Sequence, residues 1–355
     1  MLAGVTRSSL RQIFVGLLLA IAFAGDARSA DAPLQRWQGR TMGSPYTVQI
    51  VGAHPTSESL DALKAEVETR LKEINRQMSH YDPESELSRF NRAPAHQPFP
   101  VSPEFARVVR FALDLARRSG GAFDPTLGPV INLWGFGEKS TPGAVPSDSD
   151  LKAALARTGF HHLAVTPRDE LVKDIPDLAL NLSAVAKGFG VDELVRLLHR
   201  RGHTNVYVAI AGEVRTSGHN ARGTAWQVGI VEPLADWREG DPMAEIAALS
   251  DRAISTSGDY QKFFRDAAGR RFAHIFDPRT GRPVQHRVGG VSVVAPDSMT
   301  ADALATTLFV LGEKDGLAFV ESWAAAGALF IVRQSEEEYR LVRSRRFAEL
   351  AGLPP

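Results

Sequence analysis

No cysteine occurs in the 355 residues. Disulfide staples, thiolate metal sites, thiol nucleophiles and lipid attachment through cysteine are therefore excluded, and any metal must bind through oxygen or imidazole. Net charge is missing too, because 41 basic residues balance 41 acidic ones. No whole-molecule field exists to hold a polyanion, so nucleic acid is not an expected partner and a small or locally anchored one is. Internal repeats and low-complexity tracts are also absent.

The apolar run Ile13 to Phe23 is too short to span a bilayer comfortably. Arg7 and Arg11 precede it, and "GDARSADAP" with small residues at Ala27 and Ser29 follows. That pattern predicts a secretory signal over residues 1–29, cleaved near Ala30, and an exported, periplasmic mature protein of residues 30–355. Asp26 and Arg28 are atypical there and leave an uncleaved anchor as the alternative.

What the mature chain does contain is enough apolar residue for a substantial core, as one domain of two closely packed lobes. Apolar residues at helical spacing, Leu63, Val67, Leu71, Ile74 and Met78, predict a helix over Leu60 to Met78. A second helix is expected from Pro103 to Arg118, with Ser102 as cap and proline at its first position. Shorter helices are expected near Leu151 to Arg157, from about Ala186 to Arg200, and from about Thr300 to Leu311. Around them run "YTVQIVG", "LALNL", "NVYVAIAG", "AWQVGIVE", "AISTSG", "RFAHIF", "VGGVSVVA" and "ALFIVR", all strand-like. Strands in runs with few helices between them predict an α+β fold with largely antiparallel sheets.

Four stretches carry residues able to do chemistry. In "LNLSAVAKGFGVDEL", Asn181 or Ser183 can cap the helix whose first turn holds Lys187. A lysine there opposes the helix dipole; it is either solvated or set, with the glycine-exposed amides, to meet an anion such as a phosphate. In "SMTADALATTLFVLG", Asp302 and Thr306 share one helix face, which Ser298 or Thr300 would cap. They are ordinary helix residues or oxygen ligands for a hard cation, magnesium or calcium rather than zinc.

In "RFAHIFDPRTGRP", strand alternation puts His274 on the face of Phe272 and Phe276, ahead of a turn through Asp277, Pro278 and Gly281. His274 is either a packed core imidazole or a general base at a cleft rim. "GAFDPTLGPVINLWGFG" is a buried turn with core aromatics, or a wall for a planar ring against which Asp124 accepts a hydrogen bond.

These pieces, in this order, make the chain resemble the ApbE family of flavin transferases. The likeness runs from "TMGSPYTV" through "MSHYDPESELSRFN", "FDPTLGPVINLWGFG", "LSAVAKGFGVDEL" and "AHIFDPRTGRPV" to "TADALATT". The resemblance implies an ApbE-like, T-fold-like architecture and transfer of FMN from FAD to a threonine of another protein, with release of AMP. It further implies that Asp302, Thr306 and the backbone carbonyl of Ala184 hold magnesium (Mg2+). Met42, Ser79, His80, Tyr81, Asp124, Lys187 and His274 would line the FAD site. His274 would be the base and, with Asp302, the catalytic pair. The acceptor would be a threonine-bearing loop of an exported or membrane-bound redox protein.

Splitting of FAD by water at the same site, or storage of FAD without catalysis, are the competing expectations. Three positions depart from the commoner family pattern: Ser44 in place of threonine, Asn181 in place of aspartate, and "AGEV" at Ala211 to Val214 in place of Gly-Gly-Asp.

Overall fold

A computed structural model describes residues 32–52, 59–137, 144–233, 243–260, 262–266, 268–335 and 338–354. The expected signal segment, 1–29, lies outside them. From Ala32 onward the chain is one compact unit, and no described helix is long and apolar enough to cross a membrane.

Eight strands form the central sheet. They are β1 (Leu34–Thr41), β2 (Ser44–Val51), β3 (Val206–Ile210), β4 (Glu213–Ser217), β5 (Ala253–Gly258), β6 (Val288–Ala295), β7 (Gly327–Arg333) and β8 (Tyr339–Arg343). Their order across the sheet is their order along the chain, and every neighbouring pair is antiparallel. The expected α+β fold with antiparallel sheets is therefore observed. Among the described residues the one parallel contact is an isolated bridge between Leu127 and Ala179.

Four long helices accompany it: α1 (Leu60–Met78), α2 (Pro103–Arg118), α3 (Ala186–Arg200) and α4 (Ser298–Glu321). The α1 stripe read from spacing is the stripe it buries, Leu63, Val67, Leu71, Ile74 and Met78. Its cap is Ser59, whose hydroxyl accepts from the Ala62 amide at 3.2 Å. Ser102 caps α2 in the same way.

Both faces of the sheet are covered, and side-chain alternation shows how. Val206, Val208 and Ile210 of β3 pack with α1 and α3, while Ala209 joins a second core. Ala328, Phe330 and Val332 of β7 face α4, while Leu329 and Ile331 face the other way. That other layer contains a hairpin of Trp226–Val231 with Met243–Leu249 and the short helix Phe347–Leu350. A strand buried on both faces reads as a continuous apolar run, as "VGGVSVVA" does. Each large side chain buried in such a layer contributes roughly 1.5–3 kcal/mol.

Several sequence expectations need correcting. "LALNL" is not a ladder strand: the Leu180 amide and carbonyl bond the side chain of Asn91 at 2.7 and 3.0 Å, and the Asn181 amide bonds Pro125 O. "RFAHIF" is two strands, Arg271–Ala273 paired with Phe263–Arg265, then Phe276–Asp277 paired with Arg282–Pro283. The helix expected at Leu151 starts earlier, at Asp148, because Ser147 caps it. Helix α4 runs past Leu311, broken at Gly312, whose φ of 74° only glycine adopts easily.

Candidate active site

Neither of the caps expected for α3 is used. Its N-cap is Val185, without a side-chain bond, and Asn181 Oδ1 instead accepts from the Ser183 amide at 3.0 Å. The α3 entry is arranged around α4. Gly188 N–H, a first-turn amide with no partner inside the helix, donates to Asp302 Oδ2 at 2.9 Å. The Ala184 carbonyl stands just before the N-cap and receives no backbone bond among the described residues.

The reverse contact runs from α4 to α3. Asp192, buried on α3, accepts from the Ser298 and Met299 amides, each at 2.9 Å, and is itself held by Arg215 at 2.6 Å. Asp297, not Ser298 or Thr300, is the N-cap of α4 and accepts from the Thr300 amide. A carboxylate from each helix thus satisfies free amides of the other. The two helices can approach this closely because residue 188 is glycine, since a Cβ there would stand 2.3 Å from Ser298 O. A Cβ on Gly190 would in turn meet Met42 Cε at 3.1 Å. Both glycines of the "KGFG" stretch are packing residues.

Beside this junction opens a cleft of about 760 Å3, within the size range of small-molecule sites. Ala184, Lys187, Asp302, Thr306, His274 and Asp124 all line it. Met42 and Ser79 to Tyr81 are not among the lining residues. Met42 sits in the β1–β2 turn at φ 49° and packs over Gly190, while its neighbours Ser44 and Pro45 reach the cleft. Ser79 caps the end of α1, its hydroxyl taking the Tyr81 and Asp82 amides, and the exposed Tyr81 sets its ring at a tilt against that of His80.

Lys187 meets two carboxylates. Its Nζ is 2.7 Å from Glu213 Oε1 and 4.0 Å from Asp302 Oδ1. Burial works against its charge, but Asp302 and Glu213 outweigh that and hold its pKa above the ordinary lysine value. Burial pushes the Asp302 carboxyl up to about 7, with Lys187 pulling it down and Glu213 adding to the rise. Glu213 Oε2 is buried without a partner among the described residues. Thr306 Oγ1 lies 3.0 Å from Ser257 Oγ.

A hard divalent cation fits this donor set. Among the described residues no group of three or more histidine, aspartate and glutamate side chains could hold a metal. What the cleft offers is a carboxylate, a hydroxyl and an unused carbonyl, at Asp302, Thr306 and Ala184. One carboxylate with neutral oxygens suits magnesium, which takes its other ligands from water and substrate phosphate.

His274 lies in the gap between the two short strands. Its ring centre is 6.3 Å from that of Phe136, so it shares the aromatic face of Phe272 and Phe276 as alternation predicts. The His274 Nδ1 sits 3.2 Å from Lys262 O, a carbonyl that can only accept, so Nδ1 carries the proton and Nε2 keeps its lone pair. Burial lowers its pKa to about 4, and the charges of Lys262 and Lys187 act the same way. The imidazole is neutral at pH 7 and can accept a proton.

Asp124 also lines the cleft. Its Oδ1 takes the Thr126 amide and hydroxyl at 2.8 and 2.6 Å, and its Oδ2 takes the Phe160 amide at 3.0 Å. Its oxygens are spent on the turn that presents Ala122 to Ile131. Sequence reasoning passed over Asp192, Ser257 and Tyr260. The signal for Asp192 was a carboxylate on the buried face of α3; Ser257 lies within an ordinary strand and Tyr260 just after it, and neither gives one.

The model of the ApbE family matches residues 42–330. The FAD:protein FMN transferase of Vibrio cholerae is 41% identical over 313 residues, 88% of this chain and 91% of that one. That of Haemophilus influenzae is 36% identical over 318 residues, covering 88% and 91%. Among solved structures, the flavin transferase ApbE from Vibrio cholerae superposes with a TM-score of 0.82 at 40% identity, over 90% of this chain and 99% of that one. The apo flavinyl transferase ApbE of Pseudomonas stutzeri gives 0.81 at 34% identity, over 92% and 99%. The matched stretch contains every cleft residue from Ser44 to Val310, and the chain belongs to the ApbE family.

Proposed function

We infer that this protein transfers FMN from FAD to another protein, and we propose that the receiving group is a threonine hydroxyl and that the reaction depends on magnesium. Transfer of FMN is the activity in the names of the relatives. The observation that carries the magnesium reading is the start of α3 after Ala184, which leaves the Ala184 carbonyl free in the cleft that Asp302 and Thr306 also line.

The balance of the reaction is simple. The hydroxyl oxygen forms a bond to the FMN phosphorus, the bond from that phosphorus to the bridging oxygen breaks, and AMP leaves. His274 Nε2 takes the hydroxyl proton, oriented for it by the Nδ1 contact to Lys262 O. The Lys187 ammonium, freed from Glu213 and Asp302 when an anion enters, holds charge on the diphosphate. Asp302, Thr306 and the Ala184 carbonyl would hold the cation, which when bound neutralises charge on the phosphoryl oxygens. Asp192 and Gly188 keep those ligands together on two helices.

The test is to incubate the protein with FAD, magnesium and a threonine-bearing acceptor, then denature. Flavin fluorescence that stays on the acceptor supports transfer. AMP release that ignores the acceptor means splitting by water, and retention of intact FAD means storage. We also place the reaction in the periplasm, on the charged, apolar and small-residue pattern of residues 1–29; loss of export on deleting them tests this. The acceptor is then an exported or membrane-bound redox protein.

A further inference from the structure

We propose that the acceptor segment docks on this protein as an added β-strand, along the open edge of Trp226–Val231, which delivers its hydroxyl to the cleft. The inference rests on the transfer reading above. Gln227, Val228, Gly229, Ile230 and Val231 all line the cleft. Neighbouring side chains of a strand point to opposite faces, as they do here: Val228 and Ile230 are buried and Gln227 and Gly229 are exposed. A cavity touching both sets must lie along the backbone edge.

That edge is open. Among the described residues Trp226–Val231 pairs with Met243–Leu249 alone. The polarity of its backbone groups follows from the partner strand. Ala248 N–H points away from the hairpin, donating to Ala351 O at 2.8 Å. Ala248 is opposite Gln227, so this pair exchanges no hydrogen bonds, and the N–H and C=O of Gln227 point outward as well. By alternation those of Gly229 do the same.

Proteins normally protect such an edge with charge, proline or a covering element. "WQVGIV" contains no charge and no proline. The strand adjoins the cleft that contains Lys187, Asp302 and His274, so an extended peptide bonded to it lies within the reaction site. In docking of this kind main-chain bonds supply affinity and pockets for alternate side chains supply specificity.

The experiment has an enzyme arm and a peptide arm. Gln227→Pro removes an outward N–H without touching the ladder to Met243–Leu249. It should raise the KM for acceptor roughly three- to tenfold, and an unchanged KM would overturn the docking mode. In the second arm, a threonine-centred peptide picked from a randomised pool by its uptake of flavin is N-methylated one residue at a time. Labelling should fall at alternate positions and hold at those between, which a variant's misfolding cannot imitate. Labelling without that two-residue pattern overturns the docking mode alone. If no peptide takes up flavin although FAD is split, the transfer reading falls and the inference with it. Crosslinks between two copies through Gln227→Cys would assign the edge to self-association and overturn it as well.

Discussion

The amide of Gly188 donates to Asp302 Oδ2 at 2.9 Å, joining the first turn of one helix to a carboxylate on another. Asn in place of Asp302 keeps an oxygen for that amide and removes the charge. Asp302→Asn should therefore fold normally, lose magnesium-dependent FAD binding, and transfer flavin on the order of a hundredfold to a thousandfold more slowly. Fluorescence titration of FAD and acceptor labelling check both points. Labelling at the parent rate would remove Asp302 from the chemistry.

His274 touches the reaction differently. His274→Ala should slow transfer by about 10²–10⁴-fold while FAD binding and its magnesium dependence persist. A variant that loses FAD binding to the same degree would make the imidazole a binding group instead of a base.

Two opposed pKa shifts set the pH response. Burial raises Asp302 to about 7, so below that pH protons compete with the cation for the carboxylate. Burial lowers His274 to about 4, so the base stays neutral across the same range. Magnesium affinity should rise by at most about tenfold per pH unit up to about pH 7 and then level, with the histidine limiting only near pH 4. Half-saturation of FAD binding by magnesium, measured across pH, tests this; a flat profile would contradict it.

Asp192 holds the start of α4 by two amides and is ion-paired with Arg215. Asn offers one oxygen where two are used and turns an N–H2 group toward donors. Asp192→Asn should cost about 1–3 kcal/mol, read as a shifted denaturation midpoint, and should raise the magnesium needed for FAD binding. Unchanged stability would show that this cap contributes nothing.

Ala211 occupies the β3–β4 turn at φ 53°, a left-handed conformation strained for alanine. Glycine relieves that strain at some cost in unfolded-chain entropy. Ala211→Gly should stabilise the protein by about 0.5–1 kcal/mol, seen as a higher melting temperature. A lower one would mean that the methyl group packs productively against the cleft.

Local pattern alone determined where the four long helices lie and most of the strands of the central sheet. The apolar stripe of α1, the Ser102 and Pro103 start of α2 and the bounds of α3 depend on residues a few positions apart, whose interactions any helical turn brings together. Asp302 and Thr306 were legible as candidate ligands because they share one turn of α4, whereas Ala184 was implied only by the family resemblance. What only the tertiary structure decided is which distant groups answer them. Glu213 facing Lys187, Asp192 capping α4, Asn91 taking the backbone of Leu180 and Ser257 meeting Thr306 join residues 26 to 107 positions apart. No periodicity encodes such pairs, because each exists only after the sheet and two packed helices have set the distance between them.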